Sequence, residues 1–507
     1  MEPPRSLLVV GAVTWLLYLI ATSVTTWSRL RHIPGPFSAG FSKWWLIRRQ
    51  MTGKLVLDLQ DVCKKYGPIV RIGPDWVVTS DPAEIRRIWS LRSGYSRSPW
   101  YRGLRFDPSK DTIITTSDNK EHARVRAHVL PGYQGRGLED PEPVVDAQLA
   151  KFIALVEHKY ISSPTALRPL DMSNAMQFLT QDIISAIEFG SPFGYLDADA
   201  DMYGIIAIFE ALLGSVMVMA LFPFLVKLLA LPIVRPLLPK PTDPQGPGRL
   251  LGLVKEHVDA RYDGDASAHG KLLRNDVLQS FVESGLSRDE VESEALIHMV
   301  GGTDTTALAL RNAVFFVASN VVAYRKLQFE IDTAVRETSL SSSDIVPCSR
   351  ARAMPYLQAA IKEALRMWPP VMGLMSRSSE KDDTICGLRV PAGTHVAWSA
   401  LAVMKNQDIF GPDAEVFDPE RWLNAAPEQL KDMEAVQGLV FAGGTRWECL
   451  GKRLAQIELE KALFELFRRF DFSMVDPIHP FSWVSFGTTV HHGMRVKITA
   501  RENHQDE

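Results

Sequence analysis

The chain has 507 residues, 46% hydrophobic and 23% charged, with a formal net charge of -3. That is enough apolar material for a large buried core, and the acidic balance excludes the basic excess by which nucleic-acid binders neutralise phosphate. Four cysteines, Cys63, Cys348, Cys386 and Cys449, lie far apart without CxxC pairing. They suggest neither a disulfide scaffold nor a structural zinc site, and they fit a reducing compartment.

From Leu7 to Trp27 the sequence is apolar and uncharged, long enough as a helix to cross a hydrocarbon core of roughly 30 Å. Residues 1–28 therefore read as a membrane anchor; a cleaved secretory signal is the competing reading, weakened by the lack of a positive leading region. Arg29, Arg31 and His32 follow it, a bias that places the body of the protein on the cytosolic side. Residues 29–52, with Ile33-Pro-Gly-Pro36, form a basic, proline-containing hinge, and 53–507 the globular body.

Leu55 to Tyr66 predicts an amphipathic helix, Pro68–Ile72 and Trp76–Thr79 a hairpin, and Ser80 to Trp89 a second helix. Ser93 to Ser117 reads as a long loop, a kind of segment that is usually functional. Helices dominate thereafter, up to a strand at Thr394–Trp398. Ile205 to Leu238 is strongly apolar, but Pro223, Pro232 and Pro236 interrupt it. The expectation is an apolar surface element dipping into a bilayer, not a second span. Gly246 to Gly270 reads as a polar connection around a short helix.

Ser287 and Glu290 have capping-box spacing and open a helix predicted to reach about Ser319. Inside it lies Gly301-Gly302-Thr303-Asp304-Thr305-Thr306. Adjacent glycines cost a helix about 1 kcal/mol each relative to alanine. Either close helix packing or a groove for a ligand explains that cost; in the second case Asp304 and Thr305 place an acid and a hydroxyl beside it for proton delivery. Further on, Glu363 and Arg366 share a helix face, and Arg421, in Phe417–Trp422, offers the second cation such a pair needs if it is buried.

Phe441-Ala-Gly-Gly-Thr-Arg446-Trp-Glu-Cys449-Leu-Gly451 precedes a predicted helix from Gln456 to Phe470. A lone cysteine is often a small buried hydrophobe. One in a glycine-rich loop at a helix start, with basic neighbours, is instead suited to be a thiolate ligand, and Cys449 is the candidate axial ligand to a haem iron. Haem carboxylates demand cationic partners, for which His122 and Arg126, four apart on one helix face, Arg377 and Arg446 are candidates. The adjacent His491 and His492 would face opposite ways in a strand, which discounts a metal site there.

In order and separation, these four segments resemble the signature set of the cytochrome P450 superfamily; the anchor with its Pro34-Gly-Pro36 hinge is similar to that of microsomal eukaryotic members, and the wording of the cysteine loop resembles filamentous-fungal enzymes of secondary metabolism. The resemblance implies a mainly α fold with small β-sheets, a P450-like haem-thiolate catalytic domain over 53–507, and an N-terminal transmembrane helix. It further implies haem b held by Cys449, with Phe441, Gly451 and Gly302 beside it. Asp304 and Thr305 would form the distal proton relay, and Glu363, Arg366 and Arg421 a scaffold triad. His122, Arg126, Arg377 and Arg446 would serve the propionates. The pattern departs twice: Trp447 and Glu448 separate Arg446 from the cysteine by one residue more than usual, and His122 stands where tryptophan is common.

The activity so implied is O2-dependent oxidation of a small lipophilic natural product. No nucleotide-binding glycine fingerprint occurs, so electrons would come from an NADPH-dependent flavin reductase, with Arg124, Lys452 and Arg453 as docking candidates. The implied location is the endoplasmic reticulum membrane, single-pass, in contact with lipid and with the catalytic domain cytosolic. Substrate contacts are expected from Ser93–Ser117, Ile297–Gly302, Val371–Leu374 and Trp483–Phe486. Two rivals are a haem-thiolate isomerase or dehydratase needing no external electrons, and a membrane-tethered binding protein without redox chemistry. Retention of Asp304 with Thr305 favours the oxygenase.

Overall fold

A computed structural model describes residues 21–135, 140–263, 276–338, 340–341 and 343–501. Most of the expected anchor therefore lies outside the described residues; 21–30 are helical. The hinge segment packs onto the body, with Leu30, Ile33, Ala39 and Leu46 buried and Arg71 N–H donating to the Pro34 carbonyl at 2.7 Å.

The predicted helix α1 spans Leu55–Tyr66, and the hairpin forms from β1 (Ile69–Gly73) and β2 (Trp76–Thr79). The segment read as a loop carries a short strand, β3 (Ser96–Arg97), and a 3-10 turn, Pro99–Leu104. Both are fixed by residues remote in sequence, which is why local pattern missed them: Arg97 pairs with Arg377, and Ser98 N–H donates to the Ser376 carbonyl. Helices α2 (Asn119–Tyr133), α3 (Met172–Phe189) and α4 (Ile205–Ala220) follow, with the two-residue strand β4 (Leu170–Asp171) just before α3. The chain breaks after α4 and resumes as the short helix Pro223–Leu229, leaving Phe224, Ile233 and Leu237 exposed. Among the described residues, one helix is long and apolar enough to cross a membrane, Met202–Ala220.

The stretch from Gly246 is not a polar connection around a short helix: α5 runs Gly246–Asp263, and 264–275 lie outside the described residues. Leu250, Leu253, Val254 and Val258 recur on one face and are buried, so the apolar stripe outweighs the polar composition. The long helix α6, Arg288–Ala318, opens with the expected capping box. It is the central element, packed against α3, α5, α8 (Pro355–Met367) and α9 (Lys452–Arg469), with α7 (Val321–Thr338) following it in the chain. Buried side chains from α3, α6, α8 and α9 form the main core.

Among the described residues, four small sheets flank the helices. In the largest, of order β1-β2-β8-β5-β3, β8 (His395–Trp398) lies parallel to β2, and β5 is Arg377–Ser378. The pair β6 (Asp383–Ile385) and β7 (Leu388–Val390) forms another. Strands β9 (Phe470–Met474) and β12 (Arg495–Ala500) join β4, while β10 (Ser482–Ser485) and β11 (Thr489–His492) form a hairpin. His491 is buried and His492 exposed, as alternation requires.

Candidate active site

The cysteine loop is shaped before its cysteine. A 3-10 turn, Gly438–Phe441, ends at Ala442 with φ 50°, and Gly444 has φ 71°. These left-handed residues reverse the chain so that Cys449 N–H donates to the Phe441 carbonyl at 2.9 Å. Gly451 caps α9, and the backbone N–H groups of Gly451 and Lys452 point at the cysteine sulfur. The sulfur is exposed to the cavity but enclosed by the fold around it, and this desolvation pushes the thiol up, opposed by those N–H groups and by Arg126. The thiol opens onto an internal cavity lined also by Phe441, Gly451, Gly301, Gly302 and Thr305, so the cysteine loop and the glycines of α6 face one space.

The two glycines do different work. A Cβ on Gly301 would meet nothing within 4 Å, whereas one on Gly302 would lie 2.6 Å from Ile184 Cδ1 of α3. Gly301 supplies the groove and Gly302 the close helix packing, so both sequence explanations hold, one for each residue. Thr305 donates its hydroxyl to the Gly301 carbonyl at 2.8 Å and lines the cavity. Asp304 turns toward α3, where it accepts from the Gln177 side-chain amide. Burial raises its pKa, against Gln177 and Arg311, which lower it. Arg311 is itself buried and donates to the Ser173 carbonyl at 2.8 Å.

Around the cavity rim the structure gathers hydrogen-bond donors. His122, Arg126 and Arg377 line it. So does Arg97, on β3, which sequence reasoning left inside a substrate loop; one arginine in a polar stretch carries no periodic signal. Arg126 donates to the Glu448 carbonyl at 2.8 Å, tying α2 to the cysteine loop. Arg377 donates to Tyr101 Oη at 2.6 Å and lies over the Trp447 ring at 4.0 Å. Burial, together with the nearby arginines 97, 126, 377 and 446, drives His122 down to about 3, so it stays neutral.

Three of these residues keep buried nitrogens with no partner among the described residues: His122 Nδ1, Arg97 Nε and Arg377 Nε. Orphaned buried donors are costly, and three around one cavity above a cysteine sulfur fit the carboxylates of a haem. Arg446 does not line this cavity; it donates to the Leu91 carbonyl at 2.6 Å, beside Trp447. The longer loop puts Trp447, not Arg446, against Arg377.

Behind the site, Glu363 and Arg366 pair at 2.7 Å with both side chains fully buried. Arg421 approaches Glu363 at 3.5 Å, Trp422 Nε1 donates to it at 2.9 Å and Asp418 N–H at 3.0 Å. Arg366 also donates to the carbonyls of Met404 and Ala414, each at 2.7 Å. This is the full hydrogen bonding that a buried ion pair requires.

Of the expected substrate contacts, Ile113 and Ile114, the Ile297–Gly302 face and Val371 line the cavity, joined by Met375. The Trp483–Phe486 turn does not. Trp483 packs on Trp368 with ring centroids 5.0 Å apart, and Phe486 lies 3.1 Å from where a Cβ on Gly214 would stand. The basic docking candidates are engaged within the chain: Arg124 with Glu121 and Glu290, Lys452 with Glu448, Arg453 with the Gln134 carbonyl.

A mainly helical body that sets a cysteine loop opposite a glycine-notched helix, with buried cations at the rim, defines a haem-thiolate protein. The family model described as Cytochrome P450 matches residues 34–491, and the chain belongs to that family. It is 37% identical over 494 residues to cytochrome P450 monooxygenase ABA1 of Pyricularia oryzae, covering 96% of this chain and 95% of that one. Against cytochrome P450 monooxygenase aba1 of Botryotinia fuckeliana it is 36% identical over 480 residues, 93% and 92% of the two chains. Cytochrome P450 monooxygenase gsfF of Penicillium aethiopicum is 27% identical over 503 residues, 96% of each. The protein is a monooxygenase, an oxidoreductase whose cofactor is haem b with a cysteine thiolate on the iron.

Proposed function

We propose that this monooxygenase oxidises a small lipophilic compound of fungal secondary metabolism, with electrons from an NADPH-dependent flavin reductase. The observation that carries the substrate class is the cavity wall: Ile113, Ile114, Ile297, Val371 and Met375 line the cavity with Cys449, and Thr305 offers a hydroxyl among them. Such a wall selects apolar molecules by desolvation and leaves orientation to shape.

When bound, haem b supplies oxygen activation, with the thiolate of Cys449 donating electron density. His122, Arg126, Arg377 and Arg97 hold its carboxylates, and Arg446 steadies the loop through Leu91. Thr305 holds a proton at its hydroxyl on the cavity side. Asp304, kept in place by Gln177 and neighbouring Arg311, resupplies it from the α3 side. Glu363, Arg366 and Arg421 keep the support beneath the cysteine loop rigid.

Residues 1–28 anchor the chain in the endoplasmic reticulum membrane by a single span, 29–52 connect it, and 53–507 form a cytosolic catalytic domain. The exposed apolar residues around Phe224, Ile233 and Leu237 rest in the lipid surface. The reductase docks on the cysteine side, exchanging the ion pairs of Arg124 and Lys452 for its own acidic groups.

Expression with a fungal flavin reductase, followed by mass spectrometry of candidate lipophilic metabolites, tests this. A product heavier by one oxygen, dependent on NADPH and O2, is expected. Turnover that proceeds without NADPH would replace the oxygenase reading by the isomerase one.

A further inference from the structure

Glu294 lies on α6 almost two turns before Gly301, is 2% exposed, and takes no part in the chemistry described above. Its Oε1 accepts from the backbone N–H of Ile113 at 2.7 Å. The carbonyl of the same residue accepts from Arg97 Nη1. Ile113 is thus gripped on both sides, by the central helix through its N–H and by a rim arginine through its C=O. Its neighbours add a turn: Thr115 N–H and Thr116 N–H both donate to the Thr112 carbonyl at 3.0 Å. Ile113 and Ile114 line the same cavity as the cysteine.

We propose that Glu294 is a positioning residue for the substrate wall, holding Ile113 in a clamp whose other jaw, Arg97, also serves the haem carboxylate. The inference rests on the reading of this cavity as the seat of haem and substrate. One guanidinium divides its donors: Nη1 holds the loop, and Nε, unpartnered among the described residues, is left for the cofactor. Cofactor seating and the shape of the substrate wall are therefore coupled through a single residue, Ile113, held by the peptide groups on its two sides. Glu294 acts as a hydrogen-bond acceptor, not as a charge. Burial pushes its carboxyl up to about 8, and Glu290 adds to this, while the Ile113 N–H and Arg97 oppose it. Near neutrality it is mostly protonated, and a glutamine reproduces its shape and its accepting oxygen.

The test uses the haem-loaded enzyme with Glu294→Gln, Glu294→Asp and Glu294→Leu. Two iron-binding probes, imidazole and the bulky azole clotrimazole, are titrated by their Soret shifts, and hydrogen exchange is followed over residues 105–117. Imidazole is small enough to ignore the wall; clotrimazole must fit against it. Glu294→Leu strands the Ile113 N–H and Glu294→Asp is too short to reach it. Both are expected to weaken clotrimazole about tenfold or more, the worth of one unmet buried donor, to leave imidazole within about twofold, and to speed exchange over the loop. Glu294→Gln should match the wild type in all three. Unchanged clotrimazole affinity and exchange in the Leu and Asp variants would overturn the clamp, as would equal losses for both azoles. If Glu294→Leu fails to retain haem, Glu294→Asp carries the comparison. A wild type that binds neither azole counts against the haem reading, and the exchange arm then still decides the clamp.

Discussion

Among the described cysteines, Cys449 alone lines the cavity, and the backbone N–H groups of Gly451 and Lys452 are aimed at its sulfur. Cys449→Ala should abolish the red-shifted Soret band of the reduced carbon-monoxide complex, read by difference spectroscopy. Thr305→Ala should leave that band intact and divert reducing equivalents to peroxide, measured as hydrogen peroxide formed per NADPH consumed; full coupling would remove Thr305 from the relay. The glycines separate cleanly. Gly302→Ala drives a methyl into Ile184, which is 1% exposed and must repack, and should cost about 1–3 kcal/mol in thermal unfolding. Gly301→Ala meets nothing within 4 Å, and should gain up to about 1 kcal/mol of stability while narrowing the groove, seen as weaker azole binding. The sequence showed that this helix carries an expensive motif; which glycine serves packing depends on where Ile184 of α3 comes to rest, a fact of another helix.

At the scale of elements, the buried Glu363–Arg366 pair is the sharpest case. Position i, i+3 on a helix was legible, and so was the need for a second cation, because a buried charge demands compensation. Its remaining partners, the carbonyls of Met404, Ala414 and Val416 and the indole of Trp422, come from segments that no spacing rule relates to it. Glu363→Ala leaves Arg366 fully buried beside those carbonyls with its carboxylate gone. The expected loss is about 3–5 kcal/mol, enough to cut the yield of haem-loaded protein severely. Recovery at wild-type yield and melting temperature would mean that the carbonyl bonds suffice. The Ser93–Ser117 segment teaches the converse. Its strand and its turn were invisible locally because the strand is held by β5 and the turn by Ser376, and Arg97 takes its place from that strand.

For the whole molecule, acid sensitivity follows from histidines buried neutral. His395, stacked on Trp76 with centroids 4.3 Å apart, is lowered to about 4, and His491 to about 3, burial being the main cause of each. An unfolded histidine takes a proton below about 6.5, which these refuse in the fold. Stability from them is present in full above about 6.5 and falls as pH drops from there toward 3–4. Thermal midpoints should therefore decline through that window, and His491→Gln should flatten the decline. An unchanged slope would assign the acid loss to other groups.

The sequence by itself determined what local chemistry can encode: the order of the motifs, the capped central helix, the cysteine at a helix start, and the apolar surface around Ile205 to Leu238. These depend on periodicity and on residues within a few positions of one another. Only the tertiary structure decided which donors remain unpaired at the cavity rim, why Arg446 turns away to Leu91 while Arg97 turns in, and how Glu294 and Arg97 grip one residue from both sides. Those facts depend on the meeting of segments separated by tens to hundreds of positions, and packing geometry, not propensity, sets where they meet.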